Sequence, residues 1–298
     1  MSVPRRRDAP EDVVGGRVTT ASFERGREFI YATARVLEER LFATVFEEAP
    51  AAGVVDALRA YRNSDGGLGH GLEPDTRAPA SQPVDVWFAF DTLLTAGARA
   101  DDLVLPACDW LATLGVPVPL MLPSIRGYPQ ARHWRETAEF PPGLFGTIGP
   151  TATLHALGVA HPWREAATAW CLGALARDPL DDAHTISWAL QLLEHVGDEQ
   201  LVDRVTRALP EARYFRSDPD DESYGLTPLV FAPTPRSRWR SLFDDAAIDA
   251  HLERLAEKQQ DDGGWDVTWE PPSEASRLEW RGIVTLTSLR VLRAYRRL

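Results

Sequence analysis

One short stretch of this sequence occurs twice, and the repetition limits what the chain can become. Gln259-Gln260-Asp261-Asp262-Gly263-Gly264-Trp265 has a weaker counterpart in Asp65-Gly66-Gly67-Leu68. Laid over each other without a gap, at an offset of 197 residues, the copies pair Leu58 with Leu255, Asp65 with Asp262, Gly66 with Gly263, Gly67 with Gly264, Glu73 with Glu270 and Pro74 with Pro271. Internal repetition marks a recurring supersecondary unit. In both copies an apolar helical pattern stops at the glycine pair, a loop runs to Glu-Pro, and a second apolar helix follows. The unit is a helical hairpin with an elaborated connection.

The remainder reads as further hairpins. Phe23, Ile30, Leu37, Leu41, Phe42 and Phe46 recur at helical spacing and predict one long helix, straight or kinked, over 22–48. Val54 to Tyr61 and Val86 to Leu94 make two more helical faces, and Asp101 is expected to cap a helix through Leu114. Pro-rich, aromatic residues 115–150 form a long irregular segment, of the kind that carries function in a compact domain. Helical patterns return over 151–157, 163–176, 182–196 and 199–209, and the last two, 248–259 and 283–295, follow a second irregular stretch, 217–241. Almost nothing alternates with period two, so the fold class is all-α. About ten to twelve paired helices with a long-range repeat and no linker predict a closed ring of hairpins, an (α/α)6 barrel, rather than an open solenoid. It is expected to fill residues 21–298 as one domain behind a loose N-terminal tail, residues 1–20.

Charge and composition narrow the partners. A formal net charge of −12 repels phosphate backbones and anionic lipid, and no Lys/Arg cluster offsets it, so nucleic acid is not expected. No apolar run is long enough for a membrane span, and none opens the chain as a signal peptide would. Cys108 and Cys171 both fall in apolar helical patterns, as core thiols do, which points to a reducing cytoplasm. Neither cysteine has Asp two positions earlier, and the histidines have no zinc-motif context, so neither metal nor other cofactor is expected.

Gln259-x-x-x-Gly263-Gly264-Trp265, preceded by Leu252 and Leu255, resembles the QW motif of the terpenoid cyclase and protein prenyltransferase superfamily; in the first copy Arg62 stands for Gln and Leu68 for Trp. The resemblance implies an α/α-barrel in which the motif braces the scaffold and is not the active site. Protonation-initiated members of that superfamily use an acidic DxDD motif in an aromatic cavity. An alkene is a poor base, so its acid must be desolvated and the cation steadied by aromatic faces.

Two acidic stretches meet part of that pattern. Asp218-Pro219-Asp220-Asp221 matches DxDD literally but leads into a broken loop, and Asp181-Asp182 runs into an apolar helix without the full spacing. Asp181, Asp182 and Asp220 are therefore the candidate acids, with helix capping and a solvated turn as the structural alternatives. Trp87, Phe88, Trp134, His184, Trp188, Trp269 and Arg281 are the candidate ligand-binding residues. The first functional expectation is a barrel that binds a hydrophobic isoprenoid and cyclises it. A chain with length for one barrel would enclose the ligand in its ring or at a homo-oligomer interface. A second is a carbohydrate-active barrel using Glu73 and Glu270 as paired carboxylates. A third is a non-catalytic binding barrel.

Overall fold

A computed structural model of the chain describes the backbone of residues 13–14, 17–18 and 20–298, and side chains from residue 21 onward. Thirteen α-helices follow in order: α1 (Thr20–Thr33), α2 (Val36–Phe46), α3 (Ala52–Arg59), α4 (Pro83–Ala96), α5 (Asp101–Leu114), α6 (Arg132–Glu136), α7 (Leu144–Ala156), α8 (Pro162–Arg177), α9 (Ala183–Val196), α10 (Glu199–Ala208), α11 (Pro228–Phe231), α12 (Asp245–Glu257) and α13 (Glu274–Ala294). The one sheet among the described residues is a ribbon of β1 (Val13–Val14) and β2 (Arg17–Val18), Val13 opposite Val18, with β2 against α1 and α12. The rest of the expected N-terminal tail lies outside the described residues. The chain is otherwise helical.

Local sequence sets most helix ends. Side chains of Asp182, Asp198, Asp244 and Ser273 accept N–H groups at the starts of α9, α10, α12 and α13. Asp101 is instead the first residue of α5, and the cap position belongs to Ala100. The long helix expected over 22–48 is two helices, broken where Arg35 adopts an extended backbone. Its apolar period runs through the break because α1 and α2 bury similar faces. The break itself is held by tertiary contacts, Arg35 Nη1 donating to Leu72 O at 2.8 Å and Nη2 to Glu38 Oε1 at 2.7 Å.

The helices pack as two alternating sets. In one, α2 packs on α4, α4 on α7 and α7 on α9, while α13 packs back on α2 and α1. The other set, α1, α3, α5, α8, α10 and α12, flanks it, with α5 on α8 and α8 on α10. A large core joins Ile30, Phe42, Leu58, Phe90, Trp265 and Leu289, and a second surrounds Ile186, Trp188 and Leu192.

The repeated motif builds the same turn twice. Gly66 and Gly263 both have φ near +91°, and the preceding Asp of each copy accepts the N–H of the following glycine, Gly67 at 3.0 Å and Gly264 at 3.1 Å. Each turn presses on another helix of the flanking set. A Cβ on Gly66 would lie 2.8 Å from Pro106 O in α5, and one on Gly263 would lie 2.3 Å from Arg25 O in α1. The second turn carries the fuller brace. Gln259 Nε2 donates to Ser22 O and to Gly263 O, both at 2.8 Å, and buried Trp265 donates its indole N–H to Leu255 O at 2.7 Å.

Gly97 ends α4 at φ +63° with no atom within 4 Å of the point a Cβ would occupy, so Gly97→Ala meets only backbone strain, about 1 kcal/mol. Gly263→Ala adds a collision with the α1 backbone. Urea unfolding is expected to show a loss at least twice as large for Gly263→Ala as for Gly97→Ala.

Candidate functional site

The starts of α2, α4, α7, α9 and α13, and the loops before them, meet at one end of the molecule. Ion pairs and a hydroxyl tie part of this end together: Arg35 to Glu38, Arg77 Nη2 to Glu279 Oε2 at 2.8 Å, and Arg77 Nη2 to Ser276 Oγ at 2.6 Å. Within it lies a chain of aromatic rings. Trp87 and Trp188 meet at 4.8 Å between centroids, Trp188 and Phe145 at 5.1 Å, Phe145 and His184 at 6.3 Å, and His184 stacks on Tyr224 at 5.7 Å. Tyr224 meets Trp269 at 5.6 Å, Trp269 meets Trp280 at 5.1 Å, and Trp280 meets Phe88 at 6.0 Å. Phe88 is the chain neighbour of Trp87, so the line of ring contacts begins and ends on α4. The rings form a belt.

Three buried carboxyls adjoin the belt. Asp75 Oδ1 accepts the indole N–H groups of two of the belt's four tryptophans, Trp280 at 2.8 Å and Trp269 at 3.1 Å, while Oδ2 lies 3.4 Å from His133 Nε2. Loop pairing sets this geometry: Ala131 N donates to Asp75 O at 2.8 Å and Arg77 N to Pro129 O at 3.1 Å, which seats α6 and His133 beside Asp75. Behind Asp75, Glu73 accepts the Asp75 N–H at 3.1 Å, and Asp85 Oδ1 accepts the Glu73 N–H at 2.7 Å. Asp85 Oδ2 is buried with no hydrogen-bond partner.

Burial governs how these groups titrate. It pushes Asp85 up to about 8 and Asp75 up to about 6, the latter against the pull of the two indole donors and Arg77. Glu73 is raised well above the usual carboxylate range by burial and by Asp75 and Asp85 beside it. His133 is lowered by burial, which keeps its imidazole neutral near pH 7. The site therefore holds carboxyls that keep their protons where most lose them.

The sequence candidates divide. Trp87, Phe88, Trp188, Trp269 and His184 all sit in the belt, and Trp134 lies tilted against His133, ring centroids 4.3 Å apart, with its indole nitrogen buried and unpartnered. Asp182 caps α9, accepting from His184 N at 3.0 Å and Thr185 N at 3.3 Å; burial opposes its ionisation, but the bonds and charge from His184 hold it below the usual range. Asp181 is exposed, 3.6 Å from Arg213, and Asp220 sits in an exposed turn where its N–H donates to Asp218. Arg281 is committed to the scaffold, bidentate to Asp262 at 2.7 and 2.8 Å and over the Phe29 ring at 4.5 Å. Glu73 is buried whereas Glu270 is exposed, so the two copies treat their glutamates differently.

Asp75, Asp85, His133 and Tyr224 are not among the sequence candidates, and Trp280, which flanks the second copy of the repeat beside Trp269, stands with them in the site. The repeat offers no signal for the acids, because Asp75 aligns with Pro272 and Asp85 with Gly282. Among the described residues no group of three or more His, Cys, Asp or Glu is arranged to hold a metal ion, and no helix is long and apolar enough to cross a membrane.

All three carboxyls are raised on folding, so at these groups the folded state binds more protons than the unfolded chain above about pH 4, and their contribution to stability falls as pH rises through about 6 for Asp75 and about 8 for Asp85. Asp85→Asn keeps the Oδ1 acceptor and never ionises. Urea unfolding between pH 4 and 9 is expected to show a shallower decline for Asp85→Asn, with the variant more stable than the parent at pH 9 by on the order of 1–3 kcal/mol.

No protein-family model matches the chain, and no curated protein does. Among solved structures the chain is similar to the crystal structure of a protein from Actinoplanes, at a TM-score of 0.58 and 16% identity, over 92% of this chain and 98% of that one. At that identity the likeness concerns the fold alone.

Proposed function

We propose that the helices form an (α/α)6 barrel and that the protein binds a hydrophobic isoprenoid within the aromatic belt, where Asp75 protonates it to begin a cyclisation. Six packed pairs, α13/α1, α2/α3, α4/α5, α7/α8, α9/α10 and α11/α12, supply the helices of a ring. Two like turns support the closure: the turn after α3 presses on α5, and the turn after α12 presses on α1. The belt then lies at the mouth formed by the inner-helix starts.

One observation carries the chemical reading: a carboxyl with a raised pKa bonded to two indoles of an aromatic belt. The belt is uncharged and polarisable, which suits an isoprenoid chain and steadies a carbocation over the ring faces. Asp75 keeps enough proton to donate from Oδ2. Once it has done so, the Trp269 and Trp280 N–H groups already bonded to Oδ1 stabilise the carboxylate left behind. His133, half-exposed and 3.4 Å from Oδ2, returns a proton from solvent. Asp182, held ionised at the start of α9, is unsuited to donation, so the acid role moves from the DxDD-like stretches to Asp75.

Indole faces also stack on sugar rings, which keeps the saccharide reading as the alternative that the same titration separates. Quenching of tryptophan fluorescence is expected to saturate with a neutral linear isoprenoid such as farnesol and to stay flat with short oligosaccharides. Trp269→Ala is expected to weaken isoprenoid binding by about 1–2 kcal/mol. Asp75→Asn is expected to keep binding and lose product formation, read by gas chromatography; product formed at the parent rate by that variant would remove Asp75 as the acid.

A further inference from the structure

One indole along the belt from Asp75 lies a second set of proton-handling groups. Asp182 Oδ1 lies 3.2 Å from His184 Nδ1, and His184 Nε2 lies 2.8 Å from the Tyr224 hydroxyl. Carboxylate, imidazole and phenol thus stand in line. A neutral His184 carrying its proton on Nδ1 would donate to the Asp182 carboxylate and leave Nε2 to accept the phenol O–H. Tyr224 closes the line at the belt, its ring against Trp269, whose own N–H is bonded to Asp75.

The fold fixes this line from both sides. Asp182 is immobilised by capping α9, which also fixes His184 in the first turn. Tyr224 belongs to the segment before α11, which is strapped across the same helix start: Ala183 N donates to Arg213 O at 3.0 Å, Arg213 N to Asp181 O at 2.8 Å, and Leu226 N to Tyr214 O at 2.6 Å. Arg216 Nη2 holds the Tyr224 carbonyl at 2.7 Å, and Gly225 packs so tightly that a Cβ would lie 2.5 Å from Tyr214 O. A phenol fixed by backbone pairing on one side and a capped histidine on the other is positioned more closely than packing alone requires.

We propose that Tyr224, backed by His184 and Asp182, is the base that ends the reaction begun by Asp75. This rests on the isoprenoid reading of the belt. A carbocation is discharged when a C–H bond beside it breaks, its electron pair becomes the second bond of an alkene, and the proton passes to the Tyr224 oxygen. In the same event the phenol O–H proton moves to His184 Nε2, giving an imidazolium paired with the Asp182 carboxylate. The phenol is neutral before and after, which fits a hydroxyl whose ionisation is opposed by burial and by the carboxylates of Asp75 and Asp182. One proton enters at Asp75 and one leaves at Tyr224, so the reaction is a net isomerisation. Along the belt, acid and base are separated by one indole.

Two measurements decide it. Ring-nitrogen NMR of the unliganded protein at pH 7 is expected to show His184 neutral with the proton on Nδ1. Asp182→Asn is expected to shift that proton toward Nε2; a parent His184 protonated on Nε2, or on both nitrogens, overturns the relay whatever the ligand. With an isoprenoid that the parent converts, Tyr224→Phe is expected to keep Asp75-dependent consumption but replace alkene by an alcohol formed when water captures the cation, with alkene yield down at least tenfold. Unchanged alkene yield in Tyr224→Phe overturns the proposal. If no isoprenoid is converted by the parent, the cyclase reading fails, and the NMR result still decides whether the proton relay exists.

Discussion

The last hairpin reaches back to the first, and the placement of everything else follows from that contact. Gln259 donates to Ser22 O, the Gly263 turn lies so close to Arg25 that no side chain fits between them, and α13 packs on both α1 and α2. Helices adjacent in sequence need only short loops to pair, but residues near the two ends of the chain meet only if the hairpins between them curve at a consistent angle. Glycine with positive φ permits backbone contact where a Cβ would hold the elements apart. A glutamine amide then satisfies carbonyls on both sides of the junction.

Closing the chain this way gathers several helix starts at one end, and with them a set of residues that share no sequence neighbourhood. Trp87 and Phe88 come from α4, Phe145 from α7, His184 and Trp188 from α9, and Trp280 from α13. Buried carboxyls are ordinarily costly, and here three of them lie together. Asp75 is tolerated because two indoles donate to it, Glu73 because the backbone of its own turn does, and Asp85 because it stays protonated over most of the physiological range.

The acids also show why two carboxylates close in sequence to a promising motif can have opposite properties. Asp182 starts a helix and receives two backbone N–H groups, so it is ionised. Asp85 lies in the first turn of a helix as well, yet only one of its oxygens is satisfied and it is completely buried. Solvation and donor count separate them, and neither is written in the local sequence. The same difference divides Glu73 from Glu270, which the repeat makes equivalent and the surroundings do not.

The sequence by itself determined the helical class, most helix boundaries and the duplicated turn, because apolar periodicity, capping residues and glycine pairs act over a few residues. It also supplied the aromatic side chains of the belt, though not their arrangement, and its one long helix over 22–48 proved to be two because Arg35 answers to Leu72 and Glu38. Packing of the whole chain settles that Glu73, Asp75 and Asp85 are raised together, that Trp280 and His133 adjoin Asp75, and that Tyr224 completes a line from Asp182. Those relations join residues up to 205 positions apart, as between Asp75 and Trp280. A pKa and a hydrogen-bond partner depend on which surfaces exclude water together, and that is settled when the hairpins pack.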